Sequence, residues 1–160
     1  MGYVIIVREG EIRVKIIFLD IDGVLNSRQY DLTRNGEDGN IDQSRLPLLK
    51  QLVDQTGGRI VLTSTWRIHL GADEIGRELE EMFLQEGLVL YDKTPQIQND
   101  REKEITAWLA DHQEVTAFVI FDDIKFGWGA LAPMVVNTDY RIGRGLEQRH
   151  IEKAKEILEK

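Results

Sequence analysis

The sequence predicts a single α/β domain, a three-layer sandwich with helices on both faces of a mainly parallel sheet. Three observations predict it. Short apolar runs alternate with helix-period segments along most of the 160 residues, and that alternation builds parallel strands joined by helical crossovers. Three of the apolar runs end in polar clusters, "DID" at 20–22, "TST" at 63–65 and "DD" at 122–123. A composition of 42% hydrophobic and 30% charged residues supports one packed core.

The elements follow in order. "YVIIV" (Tyr3–Val7) and "IRVKIIFL" (Ile12–Leu19) flank the turn-like "REGE", so residues 1–11 read as an added strand or hairpin ahead of a core at 12–160. From Asn26 to Asn40 the chain is polar and rich in Gly, Asn and Asp. Residues 24–41 therefore read as a loop-like flap. Asp42 or Ser44 can cap a helix to about Gln55 with Leu46, Leu49, Leu52 and Val53 on one face, and Pro47 fits only its first turn. "RIVLTS" (Arg59–Ser64) is the next strand. A helix from near Ala72 is closed by Gly87, and "LVLYD" is a short strand. Asn99 or Asp100 caps a helix that buries Ile105, Trp108 and Leu109. "VTAFVIFDD" and "MVVNT" are strands, and "LEQRHIEKAKEILEK" is the closing helix.

Bulk properties exclude several classes. The chain has no cysteine, which removes disulfides, thiolate metal sites and a cysteine nucleophile. No apolar run approaches the about 20 residues that span a bilayer. Charges break the N-terminal apolar run, so it is not a signal peptide. The expectation is a cytoplasmic protein with no membrane partner. A net charge of −8 argues against strong non-specific nucleic-acid binding, which needs basic surface. It leaves room for a local basic site. Nothing in the sequence bears on the oligomeric state.

In such sheets, ligands bind at the carboxyl ends of the strands. Asp20 and Asp22 end one strand, and Asp122 and Asp123 end another. Carboxylates gathered this way repel one another unless a cation joins them. A hard cation with oxygen ligands suits them, and Mg²⁺ combines a few carboxylates with water and phosphate oxygens. Gly23 lets the backbone turn directly after the first pair.

"FLDIDGVLN", "IVLTSTWR", Arg101 opening "REKEITAWL", and "VIFDD", in that order, resemble the four motifs of the haloacid dehalogenase (HAD) superfamily of aspartate-nucleophile phosphatases. The resemblance spans Ile16 to about Leu158. With the later "VVNTDYRIGRGL", it extends to a subgroup of small HAD domains, some of them fused to RNA-repair enzymes. It implies a Rossmann-like sheet and a Mg²⁺-dependent phosphomonoesterase working through an aspartyl-phosphate. Asp20 would be the nucleophile and Asp22 the acid/base. Ser64 would hydrogen-bond the phosphoryl group, with Thr63 and Thr65 as rivals for that role. Arg101 would balance its charge, with Lys93 and Lys103 as rivals. Asp20, Asp22 (through its carbonyl), Asp122 and Asp123 would serve the metal. Gly23, Thr65 and Arg67 are candidate substrate contacts, although Arg67 could equally form a salt bridge. His69, His112 and His150 share no pattern and read as surface or packing residues. The three tryptophans read as anchors, Trp128 being the one worth testing as a stacking platform.

The segments after the first and third motifs are too short for a cap domain, so the site should be open. By family analogy, an open site suits a large substrate such as a nucleic-acid end or a phosphoprotein. Arg28, Tyr30 and Arg34 of the flap are possible contacts. The alternatives are a small-molecule or nucleotide phosphatase, a receiver-like phospho-aspartate signalling domain, and an inactive HAD binding module. A receiver-like domain would place its acid pair early and a lysine late, the reverse of the order here. All the candidate catalytic residues are present, which disfavours the inactive module.

Overall fold

The computed structural model describes residues 13–34 and 40–160. Five strands form one sheet: β1 (Val14–Leu19), β2 (Arg59–Leu62), β3 (Leu90–Lys93), β4 (Val115–Asp122) and β5 (Val135–Asn137). Their order is β3-β2-β1-β4-β5 and every pairing is parallel. The three-layer α/β expectation is met, without a cap domain. The proposed N-terminal strand Tyr3–Val7 lies outside the described residues.

Alternation along the strands sorts the core into two layers. Ile17, Leu19, Ile60, Leu62, Val119 and Phe121 face α2 (Leu46–Thr56), α3 (Glu74–Gln85) and α5 (Gln148–Leu158). Ile16, Phe18, Val61 and Ile120 face Ile105 and Trp108 of α4 (Arg101–Ala110), together with Trp128 and Leu131. β1 is central and buried on both faces, which is why "IIFL" reads as a continuous apolar run rather than an alternating one. Phe18 meets Trp108 edge-on at 5.4 Å.

Chain direction across the sheet reverses between β1 and β4. From β1 the order runs through β2 to β3 on one side, and it resumes with β4 on the other. Such a switch point opens a crevice beyond the strand ends. Asp20 follows β1, and β4 ends on Asp122.

Helix boundaries follow local chemistry. Asp42 Oδ1 accepts from Ser44 N and starts a 3₁₀ turn at Gln43–Arg45 ahead of α2. The side chains of Asp73 and Asp100 cap α3 and α4. The flap differs from expectation. Ser27 Oγ accepts from Tyr30 N at 3.1 Å and starts a helix, α1 (Arg28–Thr33), inside the segment read as loop. The 3₁₀ turns Thr65–His69 and Gly129–Met134 were likewise not expected. Apolar periodicity does not reveal such short turns.

One glycine fixes how the turn after β2 packs. A Cβ on Gly76, in the first turn of α3, would collide with the His69 carbonyl. Gly→Ala in a helix ordinarily stabilises by about 1 kcal/mol. Here Gly76→Ala is expected to lower the urea midpoint, and a raised midpoint would contradict this packing.

Candidate active site

The site begins where β1 stops. Asp20 is 5% exposed, and its N–H donates to the Phe121 carbonyl of β4 at 3.1 Å. Its Oδ1 accepts from Ile21 N at 2.8 Å. The Ile21 carbonyl then accepts from Val24 N and Leu25 N, which closes a turn. Ile21 is fully buried and anchors that turn in the core. Gly23 has φ +83°, and a Cβ there would run into the Asp123 carboxylate. Only glycine lets the first acidic loop approach the second this closely.

Asp20, Asp122 and Asp123 each bring a carboxylate oxygen to within 4.8 Å of the others. The consequence is electrostatic. Burial, then the neighbouring Asp122, pushes the Asp20 carboxyl up to about 7. Burial likewise pushes Asp122 up to about 6, against the pull of Arg101, and raises Asp123. An all-oxygen set of mutually repelling carboxylates fits a hard divalent cation such as Mg²⁺. The Asp22 side chain is not part of this set.

Arg101 opens α4 and points into the cluster. Its Nη1 lies 2.6 Å from Asp122 Oδ2 and 3.5 Å from Asp20 Oδ2. Burial works against its charge, but Asp20, Asp122 and Glu104 hold the guanidinium above its usual range. Its rivals are occupied elsewhere. Lys93 Nζ donates to the Arg67 and Leu70 carbonyls, and the exposed Lys103 lies 3.8 Å from Asp100.

Asp22 is exposed beside the cluster, and its Oδ1 accepts from Asn26 Nδ2 at 3.0 Å. Asn26 Oδ1 in turn accepts from Gly23 N at 2.8 Å. The second motif follows β2. Thr63 N donates to the Leu19 carbonyl, which sets the motif beside Asp20. Thr63 is buried, and its Oγ1 has no hydrogen-bond partner among the described residues. Ser64 is buried, and its Oγ accepts from Trp66 N at 3.2 Å, leaving its own proton to donate. Thr65 is exposed.

Of the two roles left open for Arg67, the structure takes the salt bridge. Arg67 is 3% exposed, Nη2 pairs with Glu104 Oε2 at 2.5 Å, and Nη1 donates to the Thr63 and Ser64 carbonyls. It braces the second motif and is not offered to substrate. Trp128 is also buried, with Nε1 donating to the Ile124 carbonyl, so it cannot serve as a stacking platform. The histidines lie apart. His69 pairs with Asp73, His112 stacks on Trp108, and His150 accepts from Glu147 N in the cap of α5.

Three supporting residues escaped the sequence reading. Asn26 lies within the first motif and steadies Asp22. Glu104 joins Arg67, Ile97 N and, at 3.7 Å, Arg101 Nε. Thr138 donates to the Gly23 carbonyl at 2.6 Å. The position of Asn26 in the motif was a usable signal. The other two contacts span too much sequence to leave one.

A model of one family, described as the HAD domain in Swiss Army Knife RNA repair proteins, matches residues 16–151. No curated protein and no solved structure matches the chain.

A raised carboxyl pKa costs stability when the group ionises. For Asp20 that cost is absent below its ordinary 3.8 and complete once pH passes about 7. In metal-free buffer at pH 8, Asp20→Asn should therefore raise the thermal midpoint by about 2 °C or more, with the gain fading toward pH 4. Mg²⁺ should raise the midpoint of the native protein and leave the variant nearly unmoved. A variant less stable than native at pH 8 would contradict the electrostatic account.

Proposed function

The chain belongs to the HAD domains of Swiss Army Knife RNA repair proteins, phosphohydrolases by class, and we propose that it is a Mg²⁺-dependent phosphomonoesterase acting through a phosphoryl-aspartate on Asp20. The observation that carries this reading is the convergence of Asp20, Asp122, Asp123 and Arg101 at one strand-end crevice. Asp20, Asp122 and Asp123, with the Asp22 carbonyl, would hold the Mg²⁺. When bound, the ion neutralises carboxylate and phosphate charge and keeps Asp20 ionised at neutral pH.

The chain's own groups then divide the work. An Asp20 oxygen forms a bond to phosphorus as the bond from phosphorus to the leaving oxygen breaks. Asp22, held by Asn26 and open to solvent, gives its proton to that leaving oxygen. It then takes a proton from the water that attacks phosphorus, which frees Asp20 and releases phosphate. Arg101 stabilises the charge growing on the phosphoryl oxygens, and the free proton of Ser64 donates to one of them.

An open site supports a large substrate. The first motif is followed by a six-residue helix, α1, and only α4 and the length of β4 separate Arg101 from Asp122. A cleft of about 350 Å³ beside Arg101, bounded by Gln98–Glu102 and the loop after β4, leaves that side of the site open. The family's description points to an RNA end.

The purified protein should hydrolyse a generic aryl phosphate with Mg²⁺ and lose that activity in chelator. Asp20→Asn should abolish turnover, and Arg101→Ala should lower kcat about 100-fold or more. Turnover unchanged in Asp20→Asn would refute the mechanism.

A further inference from the structure

We propose that Arg28, Arg141 and Arg144 form a basic strip along one wall of the site that holds the phosphodiester backbone of a single-stranded nucleic acid whose terminal phosphate lies at Asp20. The proposal rests on the phosphatase reading and names its substrate.

The strip starts at the catalytic loops. Thr138, directly after β5, donates its N–H to the Asp122 carbonyl at 3.1 Å and its hydroxyl to the Gly23 carbonyl. From there the chain runs along the segment that follows the first acidic motif and is bonded to it repeatedly. Arg28 N donates to the Tyr140 carbonyl at 2.8 Å. Tyr140 Oη donates to Asp31 Oδ2 at 2.5 Å, and Leu146 N donates to the Val24 carbonyl at 2.8 Å. Gly145 lies so close to the Val24 and Asn26 carbonyls that a Cβ would not fit. Residues 138–146 and 23–31 thus form one continuous surface leading outward from Gly23.

Three exposed arginines stand on that surface. Among the described residues none of their side chains makes an ion pair. Two of the nearby described carboxylates have cationic partners of their own, and a third is buried. Asp139 pairs with Lys125 at 2.6 Å, Glu147 with Arg149 at 3.2 Å, and buried Asp31 takes the Tyr140 hydroxyl. Among the described residues, no carboxylate pairs with the three arginines, in a chain whose net charge is −8. Arginine's planar fork matches phosphate oxygens.

The placement selects among substrates. A small phosphate ester carries no second phosphate for these arginines to meet. A phosphopeptide brings one phosphate on a neutral backbone. A nucleic-acid strand brings a further negative charge with every nucleotide, which is what several exposed arginines on these adjoining segments would meet.

The test uses Arg28→Ala/Arg141→Ala/Arg144→Ala in the full chain. Binding of a phosphate-terminated, fluorescent single-stranded oligoribonucleotide is read by anisotropy across a salt series, and aryl phosphate turnover is measured in parallel. Oligonucleotide affinity should fall at least about tenfold. The slope of log affinity against log salt should shrink by about 2, since each single-strand phosphate contact contributes about 0.7. Aryl phosphate kcat/KM should be unchanged. Unchanged oligonucleotide affinity, or an equal loss of aryl phosphate turnover, would overturn the proposal. So would a phosphopeptide that binds native protein more tightly and depends on the same arginines. Failure of native protein to hydrolyse the aryl phosphate would refute the phosphatase reading instead, while the binding arm would still report on the strip.

Discussion

Three carboxylates forced together at the ends of two neighbouring strands are the constraint on which the rest of the structure depends. Asp20 and Asp122 are almost wholly buried, and Asp123 is half-buried beside them. Without a cation, burial first and mutual repulsion second push Asp20 up to about 7 and Asp122 up to about 6. Such a cluster survives only on a rigid frame with positive charge nearby. The β1–β4 pairing supplies the frame, in register from Ile16 to Leu19 against Phe118 to Phe121. Arg101 supplies part of the charge, and a bound cation would supply the remainder.

The frame is reinforced from outside the cluster. Glu104 binds Arg67 and lies near Arg101, so one buried carboxylate steadies both the second motif and the group that faces the acids. Burial disfavours the Arg67 cation, and Glu104 opposes that effect. The pair is more useful for placement than for net stability, because desolvating two charges offsets much of their attraction. On the other side, Thr138 pins the Gly23 carbonyl and Asn26 holds Asp22 at its edge. Side-chain contacts thus tie the second motif to α4, α4 to both acidic strand ends, and the first acidic loop to the end of β5. Positioned groups of this kind account for much of what active sites contribute to rate.

Much of this was legible in the sequence because it is local. The "FLDIDG" stretch combines a doubly buried strand, two acids and an obligatory glycine, and each leaves a mark on neighbouring residues. The alternation of strand and helix marked the layers, and Asp42 and Asp100 marked two helix starts. What escaped depends on contacts distant in sequence or on very short turns. Helix α1 forms because Ser27 caps it and Tyr140 binds Asp31 from 109 residues away. Arg67 could have faced substrate or a partner. The choice was made by Glu104, 37 residues later. Trp128 follows the acidic pair in sequence, yet it turns back into the core to donate to the Ile124 carbonyl.

In the proposed mechanism the buried Asp20, and not a water molecule, attacks phosphorus first. Acid-quenched reaction of Asp22→Asn with a ³²P-labelled aryl phosphate and Mg²⁺, followed by peptide mapping, tests it most directly. That variant keeps the nucleophile, and an activated aryl leaving group needs little acid help, while the group that activates water is gone. A base-labile phosphoryl group on the peptide containing Asp20 should accumulate faster than phosphate is released. Steady phosphate release with no label on the protein at any quench time would contradict it.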